Sequence, residues 1–89
     1  MASMKINYSP KFTRSYRKLP NSIKDSFDDK IKCFTKNPKD PTLHVHKLKG
    51  KLESCLSFSL RGGFRILFEY QEKNTINLID VGPHDWYRR

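Results

Sequence analysis

The chain has 89 residues, 36% of them hydrophobic and 12% aromatic, which suffices for one modest core and not for two, and argues against a long disordered tail. Eighteen Lys and Arg against nine Asp and Glu leave a formal charge of +9, which points to a polyanion such as nucleic acid, or an acidic protein, as partner. No apolar run approaches bilayer length and no signal peptide precedes the domain, so no membrane association is expected and the protein reads as cytoplasmic.

Met1-Ala2-Ser3 before Met4 reads as a cloning remnant or alternative start, so the single domain is expected over residues 4–89. Lys5-Ile6-Asn7-Tyr8 alternates polar and apolar residues and predicts a short first strand. Ser9-Pro10 then opens a helix, with Ser9 as N-cap and Pro10 at the first helical position, where its missing N–H costs nothing. Phe12, Tyr16 and Leu19 fall on one stripe of that helix, and Lys11, Arg14, Arg17 and Lys18 cover the rest. After Leu19-Pro20-Asn21, Ile23, Phe27, Ile31 and Phe34 mark one face of a second helix, which Asn37-Pro38 ends. Asp25, Asp28 and Asp29 sit early in it and read as a solvated face favoured by the helix dipole.

Lys36 to Thr42 is a connector with two prolines. The segment His44-Val45-His46-Lys47-Leu48-Lys49-Gly50-Lys51 reads as a basic loop or irregular strand facing phosphates, since no third ligand stands at zinc spacing from its two histidines. Cys33 and Cys55 likewise lack metal-site spacing and read as reduced thiols, so neither metal nor cofactor is expected.

Leu56, Phe58 and Leu60 alternate with Ser57, Ser59 and Arg61, predicting a strand over Leu52–Arg61. Gly62-Gly63 turns the chain into Phe64–Gln71, a strand expected mid-sheet, in which Phe64, Ile66, Phe68 and Tyr70 alternate with Arg65, Leu67 and Glu69. A two-residue loop would mix the faces of this hairpin, whereas an odd-length loop would set Leu60 across from Ile66 and Phe58 across from Phe68. A bulged or three-residue turn is therefore predicted, gathering Ser57, Ser59, Arg61, Arg65, Leu67 and Glu69 on one open face. Glu72-Lys73-Asn74 turns into a last strand over Thr75–Val81, and Gly82 to Arg89 runs off its end. The order β-α-α-β-β-β predicts an α+β domain with a helical hairpin packed on one face of a mostly antiparallel four-stranded sheet.

If Arg65, Arg61, His46, the loop lysines Lys47, Lys49 and Lys51, and the tail His84-Asp85-Trp86-Tyr87-Arg88 converge on the open face, they line a cationic groove holding imidazoles, a phenol and a carboxylate. Such a set suits cleavage of an RNA phosphodiester by its own 2′-hydroxyl. A base takes that proton, a cation stabilises the charged phosphorane, and an acid protonates the leaving oxygen. Histidine titrates near neutrality and serves as either. Trp86 or Tyr87 can stack on a base. The plainer readings are a solvated tail histidine, sheet-end aromatic packing, and an Arg65–Glu69 pair.

The Lys-Leu-Lys-Gly step, the Gly-Gly-Phe-Arg-Ile-Leu-Phe-Glu-Tyr strand and the closing Val-Gly-Pro-His-Asp-Trp-Tyr-Arg, taken in this order of elements, resemble the RelE/ParE superfamily of type II toxin–antitoxin toxins, over nearly the whole chain from Met4. The resemblance implies one of two activities: ribosome-dependent mRNA endonuclease, as in RelE-like and YafQ-like members, or poisoning of DNA gyrase without catalysis, as in ParE-like ones. A nucleic-acid-binding module without activity is the third class. For the endonuclease, the resemblance implies that Arg65 contacts the scissile phosphate, that His46 and His84 match functional histidines, and that Tyr87 lies near a C-terminal aromatic. It also implies a cognate acidic antitoxin and, as target, the ribosome with its mRNA. The chain departs from the family by carrying Ser57 and Ser59 where RelE has lysines and YafQ, at Ser59, a histidine, and by lacking a C-terminal helix.

Overall fold

The computed structural model of the chain describes residues 4–48 and 54–83. Strand β1 (Lys5–Tyr8) leads into helices α1 (Pro10–Arg17) and α2 (Asn21–Lys36), and strands β2 (His46–Lys47), β3 (Leu56–Ser59), β4 (Phe64–Glu72) and β5 (Thr75–Pro83) follow. The expected cap is present: Phe12 N–H donates to Ser9 Oγ at 3.0 Å, with Pro10 at the first helical position. The Ser9 hydroxyl also donates to the carbonyl of Ile79, so the same residue starts α1 and ties it to β5.

The sheet runs β1-β5-β4-β3-β2, antiparallel except where β1 lies parallel to β5, and β4 is its central strand as expected. There are five strands rather than the predicted four, because His46 and Lys47 pair with Ser57 and Leu56. Two residues carry too little periodicity to announce a strand; the neighbouring strand creates it.

The β3–β4 turn is the three residues Arg61-Gly62-Gly63, closed by a 2.7 Å hydrogen bond from Leu60 N–H to the carbonyl of Phe64. Both glycines take positive φ, +70° and +80°, which a side chain resists. The parity is as predicted but the register is tighter by two residues: Phe58 stands across from Ile66, and Leu56 from Phe68. The predicted pairs of Leu60 with Ile66 and Phe58 with Phe68 do not form, because Arg61 belongs to the turn and not to the strand.

The main core lies between the helices and one face of the sheet. Phe34 of α2 stacks on Phe58 and meets Phe68 edge-on, with ring centroids 5.6 and 5.3 Å apart, and Phe12 joins α1 to Phe27. The other face is not the wholly open surface that alternation predicts. Leu48, Cys55 and Leu67 form a second buried cluster there, flanked by Ile79. A register shift in β5 opposite Leu67 and Phe68 leaves Ile79 as the extra residue and brings Asp80 against α1.

Candidate functional site

Arg65 occupies the central strand on the face turned away from the main core, across from Ser59 on β3 and Gly82 on β5. Its Nη1 donates to Ser59 Oγ at 3.3 Å, which steadies a half-buried guanidinium at mid-sheet. Opposite it on β5, Gly82 contributes no side chain.

One row further along the same face, His46, Ser57 and Leu67 stand side by side on β2, β3 and β4. Neighbouring strands lie about 5 Å apart and alternate residues about 7 Å, so the Cα atoms of His46 and Arg65 are on the order of 12 Å apart on one face. His46 is exposed and Arg65 half-buried, so an imidazole and a guanidinium stand on one face at a separation that two long side chains can span around a phosphodiester. Between them Ser57 is fully buried, and its Oγ has no hydrogen-bond partner among the described residues.

Other predicted site residues go elsewhere. Lys47 follows His46 on β2 and so turns to the opposite face, in the row of Leu56 and Phe68, because successive side chains alternate. Arg61 is part of the turn; its backbone N–H donates to Ser26 Oγ at 2.9 Å. Together with Lys30, Cys33, His44 and Ser59, Arg61 lines a hollow of about 540 Å³ beside α2, so it is a turn residue and not a strand residue beside Arg65. His44 takes a left-handed backbone with φ of 51° and joins that hollow, which separates it from His46. Lys49, Lys51, His84, Asp85, Trp86, Tyr87 and Arg88 lie outside the described residues. The last described residue, Pro83, stands across from Phe64, one position from Arg65.

Two polar groups escape a reading by periodicity. Asp80 is 5% exposed and accepts a 2.6 Å hydrogen bond from the Ser15 hydroxyl, with Lys11 Nζ at 3.6 Å. The signal for it is a carboxylate inside the otherwise apolar run Leu78-Ile79-Asp80-Val81, which needs a partner if buried. Asp40, before Pro41, accepts from the backbone and hydroxyl of Thr42 and from the Cys33 thiol. Those donors, Thr42 foremost, hold its carboxyl below the usual carboxylate value. Among the described residues no group of three His, Cys, Asp or Glu side chains is arranged to hold a metal, and no helix is long and apolar enough to cross a membrane.

Known folds place this architecture. The chain superposes on the RelBE2 toxin–antitoxin complex from Mycobacterium tuberculosis with a TM-score of 0.74 at 19% identity, covering 93% of this chain and 100% of that one. It superposes on YafQ from E. coli at 0.74 with 11% identity, covering 90% and 92%, and on a YoeB/ParE toxin from Agrobacterium tumefaciens at 0.72 with 15% identity, covering 91% and 99%. No curated protein matches by sequence. The family model described as the ParE toxin of type II toxin–antitoxin systems matches residues 6–85, nearly the whole chain. The chain therefore belongs to the ParE toxin family, within the RelE/ParE superfamily that its sequence resembles.

Proposed function

We infer that this toxin cleaves mRNA on the ribosome, with Arg65 binding the scissile phosphate and His46, together with His84, transferring protons. The observation that carries the reading is the guanidinium held by Ser59 at mid-sheet, facing Gly82 and sharing its face with His46. A cation fixed before the substrate arrives stabilises a developing phosphorane without reorganising, and removing one such donor typically lowers a rate by about 10²–10³. Asp85 then orients His84, Tyr87 and Trp86 position a base, and the lysines at 47, 49 and 51 with Arg61 and Arg88 add attraction for the backbone. Of these, Lys47 acts at a distance, since it does not share the Arg65 face.

The formal charge of +9 also favours an acidic antitoxin as the neutralising partner, and structural relatives include toxin–antitoxin complexes. A co-expressed acidic neighbour should restore growth.

The test is primer extension on an mRNA under translation. Codon-bounded cuts should appear with the wild type and fall by about 10²–10³ in Arg65→Ala, with a comparable loss in His84→Ala. Intact transcripts in arrested cells would refute the nuclease. The match to a ParE family model favours gyrase as the alternative target. On that reading, supercoiling by purified gyrase should fail in the presence of the toxin, and His84→Ala should make no difference.

A further inference from the structure

The edge of β5 beyond Leu78, past the end of its pairing with β1, leads from the candidate site to α1. Strand β1 stops pairing at Tyr8 and Leu78, and from Ile79 onward α1 takes its place beside β5. Ser9 bonds the carbonyl of Ile79, while Ser15 and Lys11 meet Asp80, two residues from the glycine that faces Arg65. Across the sheet at this level the order is therefore β2, β3, β4, β5 and then α1.

At roughly 100° per residue, Lys11, Lys18 and Arg14 follow one another around α1 starting at the flank of Ser15, the flank that meets β5. All three are exposed, and no acidic residue lies in the helix. The acidic turn of α2 lies on the other side. Asp28 and Asp25 act on Tyr16, whose phenol is pushed up by burial first and by those carboxylates second, and Tyr16 is nearly opposite Lys18 on the helix. The cationic stripe thus borders the Arg65 face, with the anionic patch turned from it.

We propose that Lys11, Arg14 and Lys18 continue the Arg65 face into one polyanion track, so that a nucleic-acid backbone crossing the sheet from His46 past Arg65 and over β5 lies next against α1. The proposal rests on the functional reading above only in taking the Arg65 face as the one that meets nucleic acid. Phosphate contacts of this kind position a strand without reading its sequence.

Binding is measured by fluorescence anisotropy with a labelled 2′-O-methyl single-stranded RNA, which the toxin cannot cut, across a series of salt concentrations. Arg14→Gln/Lys18→Gln removes two charges from the stripe, and Lys5→Gln/Lys73→Gln removes two from the far end of β5, where Lys5 pairs with Thr75. Each phosphate contact contributes about 0.7 to the slope of log affinity against log salt for single strands, so the α1 pair should flatten that slope by about 1.4. The distal pair should leave it close to wild type. Equal flattening by both pairs would reduce the stripe to net charge. An unchanged slope in the α1 pair would assign it to another partner, such as an acidic protein. Either result overturns the proposal. Since the strand cannot be cleaved, this outcome is independent of whether the translated-mRNA assay supports the nuclease.

Discussion

The two faces of the central sheet are built from the same strands and do opposite work. Toward the helices, Phe58, Ile66, Phe68, Ile76 and Leu78 are fully buried, and Phe34 closes over them. Toward the other side the same strands carry Ser57, Ser59 and Arg65, and among the described residues a small cluster around Leu67 excludes water there. The first face contributes cohesion, since each buried large apolar side chain is worth about 1.5–3 kcal/mol. The second holds a half-buried cation bonded to Ser59 and a buried hydroxyl that has no partner among the described residues, polar groups that add little to cohesion. Strand parity therefore segregates the packing face from the face proposed to carry function: one residue of register separates them.

The largest expected effect breaks the packing face alone. Phe34→Ala removes the ring on which Phe58 stacks and which Phe68 meets edge-on, and should cost about 3–5 kcal/mol in chemical denaturation. A loss near that of a surface substitution would mean that the helices do not seal this face. Arg65→Ala, by contrast, should change stability little while removing activity, which is the converse failure.

Next comes the device that assigns residues to faces. Gly62 has φ of +70°, and a Cβ there would meet Ile23 Cδ1 at 3.3 Å. Gly62→Ala should destabilise by about 1–2 kcal/mol from the left-handed backbone alone. If the turn instead relaxed to two residues, the faces would mix, core side chains such as Phe58 would turn outward, and activity would vanish with a fall in the thermal midpoint well beyond that strain. Measuring both quantities distinguishes strain from slippage.

This hairpin also shows what a sequence reveals and what it withholds. Alternation gave the parity of β3 and β4, hence the company of Ser59 and Arg65, because period 2 is a property of each strand alone. It missed the register by two residues, because Arg61 looks like a strand residue and only the pairing decides that it turns. Ser9-Pro10 placed the start of α1 to the residue, since a cap is local chemistry. The pairing of His46 and Lys47, the extra residue at Ile79 and the burial of Leu67 depend on neighbouring strands and had no local signature. Consequently His46 reached the expected face while Lys47, its immediate neighbour, did not.

A smaller effect, of opposite sign, sharpens the comparison on the functional face. A buried hydroxyl without a partner costs roughly 1–3 kcal/mol, and Ser57 Oγ has none among the described residues. Ser57→Ala should therefore be neutral or stabilising by up to about 1 kcal/mol in thermal denaturation. Clear destabilisation would mean that the hydroxyl is already satisfied, and the contrast between the faces would lose one of its supports.

The smallest effect concerns a polar group on the helix side that is fully served. Asp40 accepts from Thr42 twice and from Cys33, and its folded-state carboxyl titrates below the ordinary carboxylate value. A depressed folded value means that the unfolded chain takes up the proton first as pH falls. Whatever stability Asp40 contributes is then complete above the ordinary value and disappears as pH drops through the lowered one. Asn at this position keeps an acceptor but not the charge. Asp40→Asn should accordingly be slightly less stable than wild type at neutral pH and indistinguishable from it in acid, below the folded value. Paired urea titrations at the two pH values measure the gap. A gap that persists unchanged into acid would show that geometry, and not the ionised carboxylate, is what Thr42 and Cys33 recognise. The contrast with Ser57 would then be one of shape rather than of satisfied charge.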